Sequence, residues 1–300
     1  MFFQSKRPHY EHLKKKWTSK HKEIQNKLWS NHGEIINQFS KNFPRHIAAG
    51  SLGGLLLLSA PHNMVIPTNH TLSFSDQGLT KGFDQNVLLA SQLRDQVPDE
   101  MRPLTPEEET KIADTLTSAF GFKVTPEINK LRLNRTYGMI GGEQHLYRYP
   151  GDTLFKHADT TADAAMYGPS GIAPGLGAWG YFAPSEAEFT EKDKQRERYY
   201  IAVQTFLAPG FAENVNEYRD FFKFREMLVV NPKTGQTVVT VIGDAGPAAW
   251  TGKHLGGSPE VMHYVGLAGG PRKGAVLYFF IDDPDDKIPL GPINLGGAAS

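Results

Sequence analysis

Seven consecutive apolar residues, AVLYFFI at Ala275–Ile281, constrain this chain most. A run of that length suits a strand, and with no polar position it needs cover on both faces. The residues before it supply neighbours. Met227–Val230 reads as a strand. Asn231-Pro232-Lys233-Thr234-Gly235 reads as a hairpin turn, with Pro and Gly at turn-compatible positions. Gln236–Ile242 is β-branched, QTVVTVI, and reads as the returning strand. Gly243-Asp244-Ala245-Gly246-Pro247 breaks it. Ser258 as N-cap and Pro259 at N1 then open a short helix, with Val261, Met262 and Val265 facing inward.

Of the 300 residues, 39% are hydrophobic and 21% charged, enough apolar material for a core and too much for a disordered chain. There is no cysteine, which excludes disulfides, thiolate zinc sites, iron–sulfur clusters and cysteine nucleophiles. The net charge of zero hides a split. Residues 1–46 carry ten Lys/Arg against three Asp/Glu, and the remainder is acidic by the same margin. A nucleic-acid-binding body is therefore disfavoured, because phosphate neutralisation needs clustered positive charge.

Ile47–Ala60, IAAGSLGGLLLLSA, has no charge, and Met64-Val65-Ile66 extends it beyond Pro61. Fourteen helical residues span about 21 Å, short of the roughly 30 Å hydrocarbon core. With ten basic residues before it, residues 47–66 read as a signal or anchor segment, which places the C-terminal body outside the cytoplasm. Leu13, Trp17, Ile24, Leu28, Ile35 and Phe39 give residues 1–46 the character of a basic amphipathic helix. Residues 67–103 read as a polar linker with one short helix near Gln85–Gln96. A helical module follows over 104–133, where Thr105, Pro106 and Glu108 form a capping signature and Gly121 ends the helix. A β-rich domain spans 134–290, and residues 291–300 read as a flexible tail. The fold class expected is α+β.

The 134–182 region is dense in Gly, Tyr and His. It offers Glu143, His145, Arg148, Asp152 and His157 around a concave site, or forms an irregular cap over a barrel. Glycines among aromatics suit sugar contacts, since flat rings stack on pyranose faces. Tyr137, Tyr147, Tyr149, Trp179 and Tyr181 are candidates, though each taken alone is more often a packing residue. His145, His157 and Asp159 suggest metal ligands with Glu143 as a base. The spacing contains no HExxH, however, and no metal site or cofactor is assigned. The acidic pairs Asp282-Asp283 and Asp285-Asp286 lack the calcium-loop pattern and read as a solvated turn.

The order from Phe224 to Ile281 resembles the double-psi β-barrel of the rare lipoprotein A family, shared with expansins and some lytic transglycosylases. The resemblance is carried by the Asn231…Gly235 turn, Asp244-Ala245-Gly246-Pro247, the helix from Ser258 to Val265-Gly266-Leu267, and the last strand after Gly274. Gly171-Ile172-Ala173 and Trp179-Gly180-Tyr181 are similar to the family's opening strand. This places a six-stranded barrel core at about 171–283. Ala245 stands where the family has Arg, and the family's Thr-Ala-x-Gly-Glu and Ala-Ala-His elements are not visible.

The resemblance implies a cell-envelope protein that binds or cleaves peptidoglycan or a related polysaccharide, with Asp244 as a single acid of lytic-transglycosylase type. Glu143 is a candidate partner carboxylate. Trp179, Tyr181, Trp250, Lys253 and His254 are candidate substrate contacts, and Asp244 has a turn-building role as its alternative. Two other readings remain open. One is a non-catalytic, expansin-like glycan-binding module. The other is a metal-dependent wall hydrolase using His145 and His157.

Overall fold

The computed structural model describes residues 77–295. The basic segment 1–46 and the segment 47–66 lie outside them. Among the described residues no helix is long and apolar enough to cross a membrane.

Six strands close into a barrel: β4 (Tyr137–Gly142), β5 (Tyr200–Val203), β6 (Glu226–Val230), β7 (Thr237–Ala245), β8 (Leu255–Gly257) and β9 (Lys273–Ile281). Around the barrel the order is β4-β8-β5-β7-β6-β9 and back to β4. The β4–β8 and β5–β7 pairs are parallel, and the other four are antiparallel. This connectivity has an internal two-fold. Exchanging β4, β5, β6 for β7, β8, β9 reproduces every neighbour and every direction. Closure leaves none of the six strands as a barrel edge. Three short strands precede them: β1 (Val124–Thr125), which pairs with β9, and the β2–β3 hairpin (Glu127–Ile128 and Leu131–Arg132).

The apolar run of β9 is covered on both sides, as its composition demands. Val276, Tyr278 and Phe280 join the inner core with Ile140, Ile201, Val229 and Ile242. Leu277, Phe279 and Ile281 point outward with Leu228, Val230 and Val239, onto a layer of two helices. These are α1 (Gln77–Arg94) and α2 (Pro106–Phe120), which contribute Leu89, Leu93, Ile112, Leu116 and Phe120. Each such side chain, fully buried, contributes about 1.5–3 kcal/mol. Helix α2 has the capping box read from its sequence: Thr105 accepts from the Glu108 N–H and Glu108 reaches back to the Thr105 N–H. Gly121 ends it at φ 78°.

The hairpin and the helix after Ser258 form as expected. Asn231 Oδ1 accepts from the Lys233 N–H, and Asn231 Nδ2 donates to the Val265 carbonyl. Gly235 has φ 75°, and a Cβ there would collide with the Asn86 carbonyl of α1, so the turn admits glycine alone on two counts. Ser258 Oγ accepts from the Val261 N–H at the start of a short helix, Pro259–Tyr264.

Three boundaries differ from the sequence reading. The short helix expected near Gln85–Gln96 within the linker is α1, which begins at Gln77 and runs eighteen residues, with Leu89 and Leu93 one turn apart against the barrel. The barrel opens at β4, not at Gly171–Tyr181, where only isolated bridges occur. Strand β4 is hidden in the sequence TYGMIGG because its glycines lie under long side chains: His254 covers Gly138, Lys253 covers Gly141 and Arg272 covers Gly142. Finally, Gly291–Pro292 pairs with β7 and Ile293 is buried, so the chain is packed well into the segment read as a tail.

Candidate functional site

Two neighbourhoods flank the barrel, and both use carboxylates. The first gathers around the end of β7. Ala202 of β5 pairs with Asp244 on one side and Gly256 on the other, so these two Cα atoms lie two strand spacings, about 10 Å, apart. Gly256 lacks a Cβ beneath the Glu143 side chain, which occupies that space. Glu143 Oε1 is 2.9 Å from Lys253 Nζ, and the same ammonium lies 3.3 Å from the Gly142 carbonyl. Gln204 Nε2 donates to the carbonyls of Pro247 and Lys253, tying the loops after β5 and β7 together.

Asp244 is held by backbone. Its Oδ1 accepts from the N–H groups of Ala178 (2.6 Å) and Ala245 (2.8 Å). Its Oδ2 has no hydrogen-bond partner among the described residues. Burial pushes its carboxyl up, with the two backbone donors opposing, and among the described residues no cation pairs with it. Asp244 therefore organises its turn with one oxygen and keeps the other available.

The remaining expected contacts divide. Trp250 stands 89% exposed in the turn after Asp244, and Tyr181 is also exposed. Trp179 is a packing residue: its Nε1–H donates to the Ile242 carbonyl at 3.0 Å and its ring lies against the barrel core. His254 parts from Lys253 because adjacent residues cross opposite faces of β4. Its ring sits over Gly138, accepts the Met139 N–H at Nδ1, and meets Arg135 at Nε2. Burial lowers its pKa, and Arg135 lowers it further.

The second neighbourhood was legible only in pieces. Helix α3 (Glu191–Arg198), which has a Thr190–Asp193 capping box, brings Glu197 to two histidines. Glu197 Oε1 lies 3.3 Å from His145 Nδ1, and Oε2 lies 3.2 Å from His157 Nδ1. The Leu146 N–H donates to Oε1. His157 Nε2 is 3.0 Å from Asp152 Oδ2, and Arg148 grips both Asp152 oxygens at 2.7 and 2.9 Å. All five residues are buried.

Burial works against the Asp152 charge, yet Arg148 and His157 hold its carboxyl well below the usual range. Glu197 is lowered by the two histidines against a similar penalty. Burial disfavours the His157 cation, but Asp152 and Glu197 overcome it and push its pKa up to about 9. His145 and His157 also line a cavity of about 300 Å³, with Phe155 and Tyr167 among its walls.

The sequence named His145, Arg148, Asp152 and His157 together and missed Glu197. In EKDKQRER that residue looks like one more solvated charge, and only its place one turn before the apolar strand YIAV hints at burial. Asp159, considered beside the histidines, is instead exposed and pairs with Lys194 and Arg198. The acidic residues after β9 bind locally: Asp282 pairs with Lys123, and Asp283 caps the N–H groups of Lys287 and Ile288.

No protein-family model, curated protein or solved structure matches this chain.

Proposed function

We propose that this protein is an exported cell-envelope protein whose barrel is of the double-psi type, and that it binds peptidoglycan or a related glycan and cleaves it with Asp244 as the acid. The observation that carries the reading is the state of Asp244. It is a half-buried carboxyl raised by desolvation, fixed through one oxygen and free at the other, at the end of β7 just before the loop that carries the exposed Trp250. Such a group suits protonation of a glycosidic oxygen. In a lytic transglycosylase the sugar's own C6 hydroxyl then closes an anhydro ring as the glycosidic bond breaks, its proton returning to the carboxylate that protonated the leaving oxygen, and no second carboxylate is needed to activate water. Glu143, salt-bridged to Lys253, is placed to orient substrate. The two-fold of the strand order and the Asn231–Gly235 turn support the barrel type.

The exposure of Trp250 and Tyr181 favours one second reading, a binding module that stacks on sugar rings without cleaving. Digestion of purified sacculi with the full-length protein, read by mass spectrometry beside Asp244→Asn, separates the two. Anhydro-sugar products from wild type, reduced at least about 100-fold in the variant, are expected for an essential general acid. Retention on sacculi with no released fragments would leave the binding module. Neither retention nor products would remove the glycan reading.

A further inference from the structure

We propose that His145, His157 and Glu197 form a binding site for a first-row divalent transition-metal ion, with zinc the ion best suited and an open coordination position facing the adjoining cavity. The ligand set is two imidazoles and a carboxylate, a combination used for catalytic rather than structural zinc. The site is independent of the Asp244 reading.

Geometry is the first argument. The candidate ligand atoms all lie within 4.8 Å of one another. His145 Nδ1 lies 3.3 Å from Glu197 Oε1 and His157 Nδ1 lies 3.2 Å from Glu197 Oε2, so each imidazole faces its own oxygen of the one carboxylate. Ligands bound at about 2.0–2.1 Å in a tetrahedron stand about 3.3 Å apart.

The surroundings are the second argument. A metal-bound histidine characteristically donates its other ring N–H to a carboxylate, which fixes tautomer and orientation. His157 has that arrangement: Nδ1 faces Glu197 and Nε2 faces Asp152, which Arg148 and the Thr153 N–H hold in place. His145 points Nδ1 at the same carboxylate, and its Nε2 has no hydrogen-bond partner among the described residues.

A third observation is an unsatisfied acceptor beside the cluster. Glu260 is buried, its Oε2 has no hydrogen-bond partner, and it interacts electrostatically with both His145 and Glu197. Arg198 Nε reaches its Oε1 only at 4.0 Å and already serves Asp159. The cavity of about 300 Å³ lined by His145 and His157 gives room for water or a small oxygen ligand as the remaining ligand.

The test is metal content. Full-length wild type and His145→Ala are loaded with Zn²⁺, dialysed against metal-free buffer and measured by mass spectrometry of the metal, with folding checked by circular dichroism. Wild type is expected to retain one equivalent more than the variant. Equal retention in two folded proteins overturns the site, since it leaves only histidines elsewhere in the chain. If His145→Ala does not fold, Co²⁺ titration of wild type decides. Visible ligand-field bands of a four- or five-coordinate ion, displaced by one equivalent of zinc, support the site. Weak octahedral bands alone overturn it and make the cluster a buried ion-pair network.

Discussion

Asp244 and Asp152 are both carboxylates withdrawn from water on the flank of one barrel, and their surroundings drive them in opposite directions. Asp244 meets only backbone N–H groups, and desolvation raises it. Asp152 meets a guanidinium and an imidazole, and its charge is locked in. Burial by itself stores a proton; burial beside cations fixes an anion. The first arrangement suits a group that must give up a proton, the second a group that must hold others in position.

The largest expected effect comes from breaking the locked side. Arg148→Ala removes three hydrogen bonds from a buried guanidinium and leaves Asp152 with His157 as its one charged partner, beside the backbone N–H groups of residues 148 and 153. Breaking a buried pair from one side costs about 3–5 kcal/mol, read as a fall in the urea midpoint at constant slope. A loss under about 1 kcal/mol would mean that the two aspartates are not held differently.

What the sequence disclosed follows the same division. Local rules made the Asn231–Gly235 hairpin, the Thr105 cap, the Ser258 helix and the two-sided burial of β9 readable, because each is written in neighbouring residues. Strand β4 escaped, since its glycines are explained by His254, Lys253 and Arg272, more than a hundred residues on. Glu197 escaped for the same reason: nothing in a charged octapeptide tells that one of its members meets histidines forty and fifty-two residues earlier. The stacking role expected of Trp179 gave way to a hydrogen bond to the Ile242 carbonyl, a partner fixed only by the closed barrel.

A third carboxyl extends the comparison to the Asp244 class. Glu226, at the start of β6, is pushed up to about 7 by burial and by Asp283, against Lys192, Arg225 and Arg196, and its Oε2 is buried without a hydrogen-bond partner. A folded-state value above the unfolded one gives stability that is full below about pH 4.5 and is lost as pH rises to about 7. Wild type should lose about 1–3 kcal/mol over that window from this group, and Glu226→Gln should flatten the curve there. An identical pH profile in the variant would remove Glu226 from the class.

The smallest effect is the sharpest. Asp244→Asn keeps an oxygen for the Ala178 and Ala245 N–H groups and removes only the charge. The raised carboxyl of wild type favours folding at low pH, and that contribution disappears as pH climbs through its folded-state value. The variant should therefore match wild type in acid and equal or exceed it in stability at neutral pH, by about 1 kcal/mol at most, while Asp152→Asn, which loses Arg148 and His157 as ionic partners, is clearly destabilised. Denaturant titrations of the three proteins at pH 4 and pH 7 provide the check. Stability lost on Asp244→Asn at neutral pH would show that the Asp244 charge supports the fold, and the contrast between the two aspartates would collapse into a single structural role.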